Sequence, residues 1–273
     1  MKRTSFFAAL LIASPALAQS PEPPARIEDN SFLIEEAYNQ EPGVVQHIST
    51  FALADDGRAW AYGFTQEWPI HGRRHQLSYT LPLQNTGDSF GRGVGIGDVA
   101  LHYRYMLSGV DGGALAVAPR LSVILPTGDA DVGRGAGGAG VQVNLPISLV
   151  LLPSLVAHTN AGATVTPGAR DALGNEASTT GFNLGQSLIW LVHPKANLML
   201  EAAWTRDEEV TGPDARVRGN SFYLSPGVRF AIDLPSGLQI VPGVAVPLGL
   251  GPSDGERSLF LYLSLEHAYR RAR

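Results

Sequence analysis

A stretch of nine residues, Val99 to Leu107, limits the folds that this chain can adopt. Every second residue from Val99 is apolar or a tyrosine, whereas the residues between them include His102 and Arg104. A repeat of two residues predicts a β-strand whose two faces meet different environments. The repeat does not reveal which face is dry, because the apolar face lies inside a soluble sandwich but contacts lipid in a transmembrane barrel.

The same alternation recurs along most of the chain. Beyond its N-terminus the chain has no run of roughly 18 apolar residues, which excludes a bundle of membrane helices. About twelve strands are predicted, each near or above the roughly 9–11 residues that cross a bilayer at a tilt. The first and seventh alternate poorly, so their faces stay unassigned. The predicted strands are Val44–Leu53, Arg58–Ile70, Arg74–Gln84, Val94–Leu107, Ala114–Pro126, Gly140–Leu152, Ser154–Thr166, Thr179–Val192, Ala196–Arg206, Asn220–Ile232, Leu238–Leu248 and Arg257–Tyr269.

The lengths of the connections favour the transmembrane barrel. Even-numbered connections are short, as at His71–Arg73 and His193–Lys195. Odd-numbered connections are mostly long, as at Thr127–Ala139, Pro167–Ser178 and Asp207–Gly219. A bacterial barrel begins and ends in the periplasm, with short periplasmic turns and longer external loops. The sequence therefore predicts an all-β, transmembrane, antiparallel up-and-down barrel with that arrangement of loops.

The four tryptophans fit two membrane interfaces. Trp60 and Trp68 share one face of one strand, eight positions apart, which spans roughly 20 Å along the membrane normal at the usual tilt. Aromatic girdles of barrels lie roughly 25 Å apart. Trp190 and Trp204 fit the same two levels, so these four residues are predicted to form the membrane girdle. The alternative is that they belong to the core of a soluble protein.

If the apolar faces contact lipid, the charged faces line the lumen. Glu201 and Arg229 lie on adjacent predicted strands at similar heights, which suggests a cross-strand ion pair. Such charges either fill the lumen or select what passes through it. The predicted lumen-facing residues are Glu67, Asp98, His102, Arg104, Arg120, Glu201, Arg229 and Glu266.

The N-terminus has the features of a secretion signal. Lys2 and Arg3 precede an apolar run, Phe6–Ala13, and a small-x-small site that ends at Ala18. Cleavage after Ala18 is therefore expected. Residues 1–18 are assigned to the signal peptide, residues 19–43 to a periplasmic N-terminal arm and residues 44–273 to an outer-membrane barrel.

The N-terminal arm allows two interpretations. Residues 32–38 have helix propensity, and Asp29 or Asn30 would cap such a helix. One interpretation is a frayed periplasmic arm, and the other is a plug folded into the barrel.

Composition and motifs exclude several classes of function. The chain has no cysteine, which removes thiol catalysis and fits an oxidising periplasm. Its net charge of −5 argues against binding nucleic acid. The G-x-G within residues 93–98 lies inside a predicted strand, so it does not indicate a phosphate-binding loop. His158 and Asn160 suggest parts of a membrane-embedded hydrolase, but no spacing supports a triad. No catalytic residue, cofactor or metal ion is therefore expected.

The acidic residues of the external loops also have two interpretations. They are solvated surface charge, or they bind divalent cations or lie near lipopolysaccharide. These residues are Asp129, Asp131, Glu208, Glu209 and Asp214.

Three segments resemble a known family: residues 31–48, residues 95–107, and residues 118–149 with their glycine-rich loop. They are similar to the outer-membrane barrel family named for the meta-pathway of phenol degradation. The resemblance implies a transporter-like barrel with no catalytic residues and no established solute. The chain departs from the usual barrel ending, since Tyr269 is followed by four further residues, which bears on recognition by the barrel-insertion machinery.

The most consistent interpretation is a bacterial outer-membrane channel that passively passes or binds small molecules, including apolar or aromatic ones. Its expected partners are outer-membrane lipid, lipopolysaccharide, the barrel-insertion machinery and a small-molecule solute that the sequence does not identify. The alternatives are a non-conducting barrel with a structural or surface-interaction role and an embedded hydrolase.

Overall fold

The computed structural model describes residue 27 and residues 31–87 and 93–269. The predicted signal peptide and the four residues after Tyr269 lie outside these ranges. Sixteen strand segments are present: β1 (Val44–Ala54), β2 (Trp60–Pro69), β3 (His75–Asn85), β4 (Val94–Ile96), β5 (Val99–Tyr105), β6 (Leu115–Val117), β7 (Arg120–Leu125), β8 (Gly140–Leu152), β9 (Leu155–Arg170), β10 (Glu176–His193), β11 (Ala196–Gly212), β12 (Ala215–Phe230), β13 (Ile232–Asp233), β14 (Gln239–Ala245), β15 (Leu248–Gly249) and β16 (Ser258–Ala268).

These segments form twelve antiparallel wall strands, because four wall strands are each interrupted once. The interrupted strands are β4 with β5, β6 with β7, β12 with β13, and β14 with β15. The last strand, β16, pairs with β1 along eleven residue pairs from Val44↔Ala268 to Ala54↔Ser258. β12 pairs with β14 and β15 on the other side. The sheet is thus a closed barrel, which confirms the predicted fold.

Exposure of the side chains distinguishes the two faces of the wall. Leu101 and Leu107 are 49% and 61% exposed, whereas His102 and Arg104 are only 7% and 3% exposed. The apolar residues therefore lie on the outer surface and the charged residues on the inner one. This arrangement is the reverse of a soluble barrel and is typical of a barrel whose outer surface contacts lipid.

The tryptophans lie near the ends of their strands. Trp60 is the external end of β2, and Trp68 is near its periplasmic end. Trp190 is 56% exposed near the periplasmic end of β10. Trp204 is partly exposed and lies level with Phe222 of the neighbouring strand. Their assignment to a membrane girdle stays a prediction.

Two predicted external loops are shorter than expected. The loops at Pro167–Ser178 and Asp207–Gly219 are reduced to residues 171–175 and 213–214, because β9 to β12 continue beyond their predicted ends. The charged residues that suggested a loop pair across β11 and β12 instead. These strands therefore project as two long hairpins on the external side. No helix in the described residues has the length and apolarity needed to cross a membrane.

Candidate functional site in the barrel lumen

The lumen contains the chain that precedes β1. Residues 31–43, here called the inner segment, run inside the barrel without helix or strand, so the helix favoured by the sequence over residues 32–38 does not form. Ser31, Ile34, Glu36, Ala37 and Asn39 are each at most 3% exposed. The inner segment thus occupies space that an open channel would leave to water.

Polar side chains of the wall bind the backbone of the inner segment. The Glu201 carboxylate accepts hydrogen bonds from the N–H groups of Leu33 and Ile34 at 3.1–3.2 Å. Further along, Asn160 Oδ1 accepts from Glu35 N at 2.8 Å, and Ser148 Oγ accepts from Ala37 N at 2.8 Å. Gln76 Oε1 accepts from Gln40 N at 2.7 Å. These bonds replace the internal bonds of a helix, because a buried N–H group needs a partner.

Arg104 is the main cationic contact of the inner segment. Its Nε donates to Asn39 Oδ1 at 2.9 Å, and its two terminal nitrogens donate to the carbonyl oxygens of Glu36 and Tyr38 at 3.0 and 2.9 Å. The same guanidinium lies 3.3 Å from the buried Glu67 carboxylate. One buried arginine therefore joins β2, β5 and the inner segment.

Strand glycines provide space for the apolar side chains of the inner segment. A Cβ at Gly243 or Gly227 would lie 2.5 or 2.7 Å from the ring of Phe32. That ring also packs against Phe260 and Tyr262, with centroids 5.8 and 5.3 Å away. Phe32 is thus seated in a pocket that only glycine at these two wall positions leaves open.

The predicted lumen-facing residues have several kinds of partner. Arg120 forms an ion pair with Glu35 at 2.8 Å. His102 bonds to Thr80 and Ser122 at 3.1 and 2.8 Å, within the wall. Glu266 is half-buried opposite Gln46 in the register of β1 and β16.

The predicted height of Glu201 relative to Arg229 is wrong. Glu201 lies opposite Ser225, and Arg229 opposite Asn197, so the two are four positions apart in the register. The error arose at the periplasmic end, where Phe230 lies opposite Ala196 although the predicted strand continued to Ile232. Both side chains are buried, and Arg229 donates to the carbonyl oxygen of Ile27 at 3.1 Å.

Asp98 holds an external loop rather than the inner segment. Its two carboxylate oxygens accept from Gly128 N at 2.9 Å and from Ala136 N at 2.7 Å. A Cβ at Gly135 would lie 2.4 Å from this carboxylate, so a glycine allows the close approach. Asp98 therefore fastens both ends of the glycine-rich loop to the external end of the wall.

Replacing Asp98 with alanine is expected to release this loop. Two charge-assisted bonds are lost, each contributing roughly 1.5–3 kcal/mol, so exchange of the Gly128 and Ala136 amides should accelerate at least about ten-fold. Hydrogen exchange with mass spectrometry measures this effect. Asp131→Ala is the control, since Asp131 is exposed in the same loop; equal exchange in both variants would contradict the role of Asp98.

Sequence reasoning missed the uncharged residues that bind the inner segment. Ser148, Asn160, Ser187 and Gln76 are polar residues on inward positions, yet such residues are common in any barrel lumen. Their partners are between 36 and 156 residues away in the sequence. The alternation of the strands indicated the face on which Gln76, Ser148 and Ser187 lie, whereas Asn160 belongs to the seventh predicted strand, whose faces were unassigned.

A serine and a histidine lie together in the lumen. Ser148 Oγ and His158 Nδ1 are 2.6 Å apart. Ser148 is 0% exposed and also accepts the bond from Ala37 N. Tyr38 packs edge-on against the His158 ring, with centroids 6.1 Å apart. This pair is covered by the inner segment, so it binds that segment rather than presenting a nucleophile to a substrate.

Two cavities lie on the external side of the inner segment, and Leu33 lines both. The larger, of about 710 Å³, has Ala52, Ala61 and Phe260 among its lining residues. The smaller, of about 280 Å³, is lined mainly by polar groups, including Glu35 and Arg120. The inner segment therefore forms the floor of one largely apolar and one polar external cavity.

Comparison with known proteins gives no family assignment from sequence. No protein-family model and no curated protein matches the chain, so the resemblance to the phenol-degradation family stays a prediction. Among solved structures the chain is similar to the COG4313 outer-membrane channel from Pseudomonas putida F1, with a TM-score of 0.60, 14% identity, and coverage of 85% of this chain and 97% of that one. It is also similar to the KdgM porin, with a TM-score of 0.50, 7% identity, and coverage of 82% and 99%. At these identities the similarity is one of fold, and the fold is that of outer-membrane β-barrels.

Proposed function

We propose that this protein is an outer-membrane channel for small apolar or aromatic molecules, which enter the larger external cavity and pass when the inner segment moves aside. The observation that carries the proposal is the largely apolar surface of that cavity above the inner segment, which Asp55, Asp56, Glu256 and Arg257 also line. Apolar pockets with a few polar groups at their edge are typical small-molecule sites. The resemblance to the phenol-degradation family supports an aromatic solute.

The contacts of the inner segment support a passive mechanism. Hydrogen bonds from wall side chains and a few apolar pockets hold the inner segment, and no strand of the described barrel pairs with this segment. Its displacement therefore requires no break in the closed sheet. Such a channel uses no cofactor and catalyses no reaction. It selects the solutes that pass.

Binding of a neutral aromatic dye tests this proposal. N-phenyl-1-naphthylamine fluorescence should rise when the purified protein is added, and Ala61→Asp should weaken binding at least about ten-fold, because a carboxylate in an apolar pocket opposes an apolar ligand. Ala61 is an exposed residue of the larger cavity, so this change is compatible with folding. Thr164→Asp, in the smaller polar cavity, is the matched control.

Dye binding, dye uptake by cells and the swelling of liposomes separate the alternatives. A non-conducting structural barrel would neither bind the dye nor admit it to cells. A channel for hydrophilic solutes would swell liposomes in arabinose while Ala61→Asp left dye fluorescence unchanged. Either result would contradict the proposed solute class.

A further inference from the structure

The outer face of the β10–β12 hairpins changes abruptly from apolar to basic. Leu184, Trp204 and Phe222 lie level with one another on adjacent strands and face outward. One step further out, Arg206 lies between Phe182 and Asn220. On the same outward face, Arg218 follows opposite Glu208, and Arg216 opposite Val210. These three arginines form what is here called the basic strip: Arg206, Arg216 and Arg218.

The basic strip carries more positive charge than its neighbours neutralise. Glu208 is the acidic residue that pairs with it, at 2.8 Å from Arg218 and 3.5 Å from Arg216. Arg206 donates to Asn220 Oδ1 at 3.0 Å and lies 5.7 Å from the centre of the Trp204 ring. Two of the three guanidinium groups thus share one carboxylate, whereas Arg206 has an uncharged partner.

The acidic residues beside Glu208 do not offset this charge. Asp207 and Glu209 alternate with it along β11 and lie on the inward face of the strand. Asp207 lines the smaller external cavity, which agrees with this assignment. The strand therefore places carboxylates toward the lumen and arginines toward the outside.

The arginines have capacity for a further anionic partner. Arg218 and Arg216 keep 68% and 45% of their side-chain surface exposed. Within the described ranges, the terminal nitrogens of Arg206 and Arg218 make no hydrogen bond. A guanidinium presents several donors in a plane and binds phosphate through two of them at once.

The height of the basic strip matches that of lipid headgroups. Each step of two residues along a strand tilted by about 40° rises roughly 5 Å. The basic strip therefore extends from about 5 to 15 Å above the level of Trp204. Headgroups lie in this layer just outside the hydrocarbon core.

We propose that the basic strip binds the phosphate groups of a phosphorylated glycolipid in the outer leaflet, with Trp204 and Phe222 packing against its acyl chains. The aromatic residues directly below the arginines favour a lipid over a soluble phosphate. This site lies on the outside of the barrel and is independent of the passage of solutes.

Retention of lipid A by the purified barrel in detergent tests the proposal. Native mass spectrometry compares bisphosphorylated lipid A with its dephosphorylated form, which has the same acyl chains. The Arg206→Gln/Arg218→Gln variant should bind the bisphosphorylated form about thirty-fold more weakly, at roughly five-fold for each basic residue near an anionic group. Lys195→Gln, which removes a cation at the periplasmic end, should bind like the wild type.

Glu208→Gln distinguishes binding from general disruption of the hairpin. It breaks the ion pairs with Arg216 and Arg218 by removing the negative charge, so bisphosphorylated lipid A should bind about five-fold more tightly. Weaker binding by this variant, or equal binding of the two lipids by the wild type, would overturn the proposal. Equally strong binding of inorganic phosphate would overturn the choice of a lipid.

Discussion

A disulfide between positions 31 and 187 is expected to stop the passage of solutes, and its reduction to restore it. Ser31 Oγ of the inner segment and Ser187 Oγ of β10 are 2.9 Å apart, so Ser31→Cys/Ser187→Cys places two thiols close to each other for an S–S bond. The chain has no other cysteine to compete. A disulfide typically stabilises the state it closes by about 2–4 kcal/mol, so uptake should fall at least about thirty-fold.

Uptake of the aromatic dye by cells, before and after treatment with a membrane-permeant reductant, measures this effect. The two single cysteine variants are the controls, since each lacks the cross-link but carries one of the same substitutions. Undiminished uptake by the oxidised double variant would show that solutes pass without movement of the inner segment, or that they do not use the lumen.

Replacing Arg104 with methionine is expected to cause the largest loss of stability among single substitutions in the lumen. Glu67 would remain buried without its cation, and the acceptors on Glu36, Tyr38 and Asn39 would lose their donor. Removing one partner of a buried ion pair typically costs 3–5 kcal/mol. Urea unfolding of the barrel in lipid vesicles measures the change in free energy.

A double substitution isolates the ion pair from the other contacts. Glu67→Gln/Arg104→Met should be less destabilised than the sum of its two single variants, because the uncompensated charge is then absent. Arg206→Met, which removes an exposed arginine from the outer surface, should change stability by less than about 1 kcal/mol. Additive effects of the two lumen substitutions would contradict a coupled pair.

The alternation of residues was enough to predict the barrel wall, because the polarity of successive side chains in a strand follows the two environments that its faces meet. It predicts Leu101 outside and His102 inside, and these residues are 49% and 7% exposed. The ends of β11 and β12 were less predictable. In the sequence, charged residues such as Glu208 and Arg218 suggest a polar loop. Only the pairing of β11 with β12 shows that they belong to a hairpin.

The path of the inner segment was beyond prediction from one sequence. Its contacts join residues far apart, as between Leu33 and Glu201. The pocket that holds the Phe32 ring depends on Gly227 and Gly243. A glycine in a strand does not indicate which side chain packs against it. The sequence therefore left the frayed arm and the plug as equal alternatives, because neither alternation nor loop length constrains a chain without regular structure.

Gly43 allows the inner segment to move into and out of the lumen without breaking the pairing of the wall strands. This last residue of the inner segment has a φ of +88° and directly precedes β1, where the chain reverses at the periplasmic opening. Its carbonyl oxygen accepts a hydrogen bond from Tyr269 N at 2.8 Å, next to the seam between the first and last strands. Rotation about Gly43 would move the inner segment relative to the wall while the pairing of β1 with β16 stays intact.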